Sequence, residues 1–295
     1  MAKLFGITRA EKFSPNMTKN DRDIFMAVTK RLEENGNEVS FMEEEALSPD
    51  LSLAGYDLVF TMLRGDRGIA LLKDYARLRP GKVVNSPEGI EDCRKDRLTG
   101  IMQHLKIPMP RSYVLSLTDK TPLPDNLFFP LWLKRGDGCA QCKDDVTFVE
   151  DNEGLLEALC NYKVRGVTSV VLSRHIVGDI VKFYSVEGTA FFDWNYADPR
   201  HSKFGNEWIN GASQGYTFDV AALKTEADRL AAFLGVPVFG GDCVVDARGH
   251  FRIIDFNDWP SFSRCRYRAS IAIADRIMKV LDPNSPPLAT VSYHP

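Results

Sequence analysis

Apolar positions recur along this chain with two different periods. Over residues 20–36, NDRDIFMAVTKRLEENG sets Ile24, Val28 and Leu32 on one stripe and ends at Gly36, which predicts an amphipathic helix. The runs KLFGIT and NEVSFM on either side are short and rich in β-branched or aromatic residues, and predict strands. YDLVFTM and KVVNSP predict two more strands, with a helix over GIALLKDYARLRPG between them. Strands that alternate with helices imply parallel βαβ units, and this first unit closes near residue 92. The acidic run EEEAL inside it predicts a solvated segment.

The pattern then changes. IEDCRKDRLTGIMQHLKIPMP predicts one helix ended by Pro108 and Pro110. RSYVLSL and FFPLWLKRG predict strands, and NEGLLEALCNYK a helix. TSVVLSRHIVGDIVKFYSVEGTAFFDWNY holds three strand-like runs punctuated by Gly178 and Gly188. In DVAALKTEADRLAAFLG, Val220, Leu223, Ala227, Leu230, Ala231 and Leu234 keep helical spacing. VPVFGGDCVVD and HFRIIDFN predict strands joined by a tight turn, RASIAIADRIMKVL predicts a closing helix, and the Pro-rich end predicts a loose tail. The expected organisation is α/β (α+β): an N-terminal α/β domain over 1–92, a second unit over 93–168, a third over 169–285 and a tail over 286–295.

Composition narrows the class. The chain has 295 residues, 44% of them hydrophobic, enough for a substantial core. A formal net charge of -3 gives no footprint for general nucleic-acid binding. No apolar run reaches the length of a membrane span. MAKLFGITRAEKF lacks the apolar segment and small-residue cleavage site of a secretory signal, so the cytoplasm is the expected compartment. CAQC at 139–142 has zinc or redox spacing, but no second CxxC or HxxxH completes a site, and reduced cysteines are expected.

The chemistry concentrates in GGDCVVDARGHFRIIDFND. Taken as a hairpin with Arg248-Gly249 at its tip, it sets Ala247 opposite His250, Asp246 opposite Phe251 and Asp242 opposite Asp255. Carboxylates so placed lie roughly 5 Å apart and repel. Asn257, two residues past Asp255, shares its face. Two acids and an amide suit a hard divalent cation such as magnesium, which takes its remaining ligands from water and phosphate. The plainer alternative sets the acids at solvated strand ends or against arginines. Two further features bear on the choice. Lys134 ends a strand and runs into Arg135-Gly136-Asp137-Gly138, a turn that can present N–H groups to phosphate. Lys182 sits among apolar residues in DIVKFYSV, either snorkelling outward or facing a polar cleft.

The order of these motifs resembles the ATP-grasp superfamily, on the side of the ribosomal-protein glutamate ligases and glutathione synthetase-like ligases, with features of the inositol-phosphate kinase branch. The resemblance implies an N-terminal parallel βαβ pre-ATP-grasp domain followed by a two-subdomain ATP-grasp fold, with ATP and magnesium as cofactors. It rests on IEDCRKDRLT, FPLWLKRGDGCAQCKDDVTFVED, VVLSRHIVGDIVKFYSVEG and GGDCVVDARGHFRIIDFNDWPSF. It implies that Arg97, or Lys95, contacts phosphate, and that Lys134 meets the α/β-phosphates beneath a flap from Gly136 through Gly138 to Cys142. It further implies that backbone groups of Leu172, Ser173 and Arg174 hold adenine, that Lys182 lies in the following strand, and that Asp242, Asp255 and Asn257 ligate the metal. The family's hinge glutamate is absent here. Gly240 stands where the D-alanine ligase branch has an arginine, so the anion-stabilising group must come from elsewhere.

What the resemblance implies for the reaction is activation of a carboxylate as an acyl phosphate, then attack by an amine, on a small amino-acid or peptide-like substrate. A kinase acting on a polyol phosphate and a non-catalytic nucleotide binder are the alternatives. The candidate groups for an anionic substrate are Arg200, His201 and Lys203 in one loop, and Arg264, Arg266 and Arg268 just after the metal strand. Arg264 and Arg268 would share a face if the helix has begun there. Solvated surface charge is the alternative for each.

Overall fold

A computed structural model of the chain describes residues 1–48, 50–119, 122–198 and 206–284. Its first sheet is parallel, in the order β2-β1-β3-β4, from β1 (Lys3–Ile7), β2 (Glu38–Met42), β3 (Leu58–Thr61) and β4 (Val83–Val84). Helix α1 (Thr18–Glu34) buries the predicted stripe of Ile24, Val28 and Leu32. Helix α2 (Asp66–Leu78) follows β3. The acidic run is not simply solvated. Glu44 is 9% exposed and accepts the backbone N–H groups of Ala10 (2.8 Å), Arg64 (3.0 Å) and Gly65. A carboxylate holding several N–H groups ties two loops together.

The single helix expected after this sheet is two helices. α3 (Pro87–Asp92) has Ser86 as its N-cap and Pro87 at its first turn. The chain then extends at Arg94, and α4 (Lys95–His104) starts afresh. The break sets Lys95 at a helix start rather than in a helix interior.

The middle sheet is antiparallel, ordered β5-β8-β6-β7, from β5 (Ser112–Ser116), β6 (Leu131–Arg135), β7 (Val146–Val149) and β8 (Ser169–Arg174). Helix α5 (Asn152–Val164) covers it, and Leu133, Leu155, Tyr162, Val170 and Leu172 form its core. β8 pairs here, although the sequence reading starts its third unit at that strand. β7 was not predicted, because flanking acids mask its short VTFV run.

The last sheet has the order β10-β9-β11-β12, all antiparallel, from β9 (Asp179–Val186), β10 (Phe192–Tyr196), β11 (Val238–Val245) and β12 (Phe251–Asp258). Helix α6 (Val220–Leu234) packs on it. Helix α7 (Arg266–Leu281) turns back and joins α1, sharing a core with Leu4, Ile24, Val28, Trp259 and Phe262. The architecture is mixed α/β, as expected. Among the described residues no helix is long and apolar enough to cross a membrane.

The β11–β12 register explains the acid pair. Near the tip the turn is one residue longer than expected, and Val245 faces Phe251. That register alone would set Asp242 opposite Ile254 and leave Asp255 on the other face. A bulge intervenes: Cys243 pairs with Ile253, yet Asp242 pairs with Asp255. The extra residue, Ile254, reverses the alternation, so Asp242 and Asp255 come to face each other after all. Two departures from the simple hairpin thus cancel.

β11 approaches β12 closely here, and a Cβ on Gly241 would lie 2.3 Å from Asp255 O and 2.6 Å from Phe183 Cζ. Gly241→Ala should therefore cost about 1–3 kcal/mol of stability, read as a lowered urea midpoint. An unchanged midpoint would show that the strands can separate freely at this point.

Candidate functional site

A cleft of about 730 Å³ runs between the sheets, and Lys95, Lys134, Lys182, Asp242, Asp255 and Asn257 all line it. The three lysines enter from three different elements. Lys95 comes from the first turn of α4, which is fixed in two ways: Asp96 N donates to Gly136 O at 3.2 Å, and Ser169 Oγ donates to Asp96 Oδ2 at 2.6 Å. Lys134 extends from β6 and donates to Ile254 O at 2.8 Å, the carbonyl of the bulge residue. Lys182 stands opposite Asp242 on the neighbouring strand, with Nζ 3.4 Å from Asp242 Oδ1.

The Lys95 ammonium touches Asp255, Asn257 Oδ1 at 3.3 Å and Phe256 O at 3.4 Å. Asn257 Nδ2 donates to Asp255 Oδ2 at 2.7 Å. A cationic group therefore already contacts two of the three expected metal ligands. Two carboxylates and an amide oxygen on one face are hard donors, and the set fits magnesium with its remaining ligands drawn from water and phosphate. Among the described residues no cluster of three His, Cys, Asp or Glu side chains offers another metal site.

The electrostatics agree with this geometry. Burial pushes the Asp255 carboxyl up, but Lys95 and Lys134 outweigh it and bring the pKa down to about 2. Burial lowers the Lys134 pKa, with Asp255 opposing. Burial and the charge of Asp242 push Tyr184 up to about 12, against Lys182 and Arg264, so its hydroxyl keeps its proton.

The other predicted residues divide. Arg97 does not line the cleft; it pairs with Glu91 at 2.7 Å and Asp92 at 3.4 Å on the outer surface. Residues two apart on a helix point about 200° apart, so Lys95 and Arg97 cannot both face inward. Gly136 is not a phosphate turn: its N–H donates to Ser169 O at 2.8 Å, and a Cβ there would sit 2.5 Å from Ser169 Oγ. Gly136 permits β6, β8 and the start of α4 to meet. Gly138 does not line the cleft, but the next flap residues, Cys139 and Ala140, do.

Leu172 is a core residue, and its strand β8 lies between β5 and β6. The backbone groups of 172–174 face ladders on both sides, which leaves them poorly placed to hold adenine. Arg174 N goes to Arg111 O at 2.9 Å and His175 N to Pro130 O at 3.1 Å. Ser173 and Arg174 still line the cleft, beside Trp132. Arg200, His201 and Lys203 lie outside the described residues. Arg264 lines the cleft. It precedes α7, which starts at Arg266, so it shares no helix face with Arg268. Arg266 pairs with Asp23 at 3.1 Å and Arg268 with Asp193 at 2.8 Å.

Sequence reasoning missed the contribution of the first sheet. Arg9 pairs with Asp21 at 2.8 Å and donates to Met62 O at 3.1 Å and Trp259 O at 2.7 Å. Arg64 pairs with Asp258 at 3.1 Å and donates to its carbonyl at 3.0 Å. Both arginines line the cleft. They follow β1 and β3 closely in sequence, and side chains at the carboxyl ends of parallel strands were the available signal. Asp258 points away from Asp255 and is nearly buried against Arg64, while Glu44 braces the loops that carry both arginines. All six cysteines are free thiols.

No protein-family model and no curated protein matches the chain. Solved structures do match over nearly its whole length. A D-alanine–D-alanine ligase from Bacillus anthracis, complexed with ATP, superposes with a TM-score of 0.67 at 15% identity, covering 96% of this chain and 95% of that one. D-alanyl-alanine synthetase A from Vibrio cholerae gives 0.68 at 10% identity, covering 95% and 98%. The VanG D-Ala:D-Ser ligase from Enterococcus faecalis gives 0.66 at 14% identity, covering 95% and 99%. The chain therefore has the ATP-grasp fold that these ligases share.

Two variants test the geometry. Lys95→Met leaves burial as the largest influence on Asp255, so its pKa should climb from about 2. The stability that Asp255 contributes is present above its ordinary value of 3.8 and is lost as pH falls toward about 2. The variant should lose it at higher pH, seen as an upward shift in the Asp255 carboxyl-carbon NMR titration. An unmoved titration would remove Lys95 from the site. Glu44→Ala strands buried N–H donors and should cost about 1–3 kcal/mol by urea unfolding, with Glu44→Gln recovering part. Equal midpoints for all three proteins would mean that Glu44 does not brace these loops.

Proposed function

We propose that this chain is an ATP- and magnesium-dependent ligase of the cytosol, activating a small carboxylate and joining it to an amine. One observation carries the reading: three lysines converge with Asp242, Asp255 and Asn257 at a cleft that continues toward arginines of the first sheet. The fold it shares with D-alanine ligases, one of them holding ATP, supports the same reading.

Asp242, Asp255 and Asn257 would hold the metal, which when bound supplies charge neutralisation to the polyphosphate. Lys134 and Lys182 are placed to bind phosphate oxygens. Lys95 keeps Asp255 ionised. Trp132, on β6 two residues before Lys134, offers an aromatic face at the end of the cleft bounded by Ser173 and Arg174. The cleft holds the reactants together, which supplies much of the acceleration in such reactions. A carboxylate oxygen attacks the terminal phosphorus and ADP leaves. The amine then attacks the acyl carbon and phosphate departs.

The fold shared with D-alanine ligases favours the ligase over the kinase alternative. A non-catalytic role is disfavoured because the whole acid–amide set is in place.

The test incubates the protein with ATP, magnesium, hydroxylamine and a panel of amino acids and small mono- and dicarboxylates. A hydroxamate formed together with ADP is the expected product. ADP release with a sugar phosphate, and no hydroxamate, would replace the ligase with a kinase. Asp255→Asn should lower hydroxamate formation by about 100-fold or more while far-UV circular dichroism stays unchanged. Near-normal turnover in that variant would overturn the metal assignment.

A further inference from the structure

We infer that Arg264 is the guanidinium that binds the carboxylate of the substrate to be activated; this rests on the ligase reading above. The case begins with which cations are uncommitted. Around this end of the cleft Arg9 holds Asp21, Arg64 holds Asp258, Arg266 holds Asp23 and Arg268 holds Asp193. Arg264 lines the same cleft, is exposed to it, and makes no hydrogen bond or ion pair with any described residue. A guanidinium is always charged, and its planar fork matches a carboxylate with two parallel hydrogen bonds.

Its position is fixed by the loop that carries it. Arg9 grips the Trp259 carbonyl at 2.7 Å, Arg64 grips the Asp258 carbonyl at 3.0 Å, and Trp259 N donates to Val238 O at 2.8 Å. Trp259 and Phe262 are fully buried, and both have positive φ, at 30° and 49°. Such conformations persist only where surrounding contacts impose them. α7 then starts two residues after Arg264. The residue is therefore anchored on both sides while its side chain is left to the cleft.

Gly240, on the neighbouring strand β11, leaves room for the loop that carries Arg264. A Cβ on Gly240 would lie 2.8 Å from Pro260 Cγ and 2.9 Å from Phe183 O. The loop that delivers Arg264 closes over Gly240 through Pro260. Arg264, Tyr184, Gly240 and Asp242 line the same cleft, which puts the guanidinium in the space shared with the metal-ligand face. A carboxylate held by Arg264 would thus lie toward Asp242 and Lys182, where a terminal phosphate would be presented.

The test uses phenylglyoxal, which modifies accessible arginines, with peptide mapping by mass spectrometry. Arg264 should react readily in the free protein. The carboxylate that yields hydroxamate, added with magnesium and a non-hydrolysable ATP analogue, should slow its modification at least about fivefold; nucleotide alone should change it less than about twofold. Arg264→Gln should raise KM for that carboxylate by about 10- to 100-fold, as loss of a charged hydrogen-bond pair does, and leave KM for ATP within about threefold. Arg264→Lys should recover part of the loss. Protection by nucleotide alone would make Arg264 a phosphate ligand and overturn the assignment. So would a productive carboxylate that leaves Arg264 open to the reagent. If no carboxylate yields hydroxamate with the unmodified protein, the ligase reading fails first and takes this one with it.

Discussion

Two carboxylates facing each other across a strand pair repel, and the cleft is organised around that repulsion. Asp242 and Asp255 share a face only because the bulge at Ile254 reverses the alternation of β12. Lys134 binds the carbonyl of that same residue, so the irregularity that creates the acid pair is held by one of the cations that offsets it. Lys95 and Lys182 complete the compensation. The result is a pair of acids in a partly buried place, with Asp255 held ionised by its lysines, which is the state a hard cation requires.

Much of this was legible in the chain. The alternation of strands and helices gave the parallel first sheet, and the apolar stripes gave α1 and α6 nearly to the residue. Lys134, Lys182, Asp242, Asp255 and Asn257 could be named because ionisable residues among apolar strand neighbours are conspicuous. The bulge was written there too, as the doublet Ile253-Ile254 in an otherwise alternating run. Counting from an assumed two-residue tip concealed it, since a longer turn and an extra residue gave the same pairing for Asp242.

What was not legible depends on tertiary contact. Arg97 was preferred to Lys95 as the phosphate contact, but the break at Arg94 restarts the helix and turns Lys95 inward. Leu172 to Arg174 read as an accessible hinge because nothing in the sequence marks β8 as a strand flanked on both sides. Gly136 read as a phosphate turn, whereas its missing side chain is needed for packing against Ser169. Glu44 looked like part of a solvated run, since one buried acid among three is invisible until its backbone partners are known.

The shared core of α1 and α7 has a consequence for how the chain is made. Ile24, Val28 and Leu32 pack against a helix that begins at Arg266, more than two hundred residues later in synthesis. While the ribosome is still extending the polypeptide, the buried face of α1 lacks its cover from α7. Arg9 and Arg64 likewise lack the carbonyls they grip until β12 and its loop have emerged. The nascent N-terminal part therefore leaves that apolar stripe uncovered until the final helix docks.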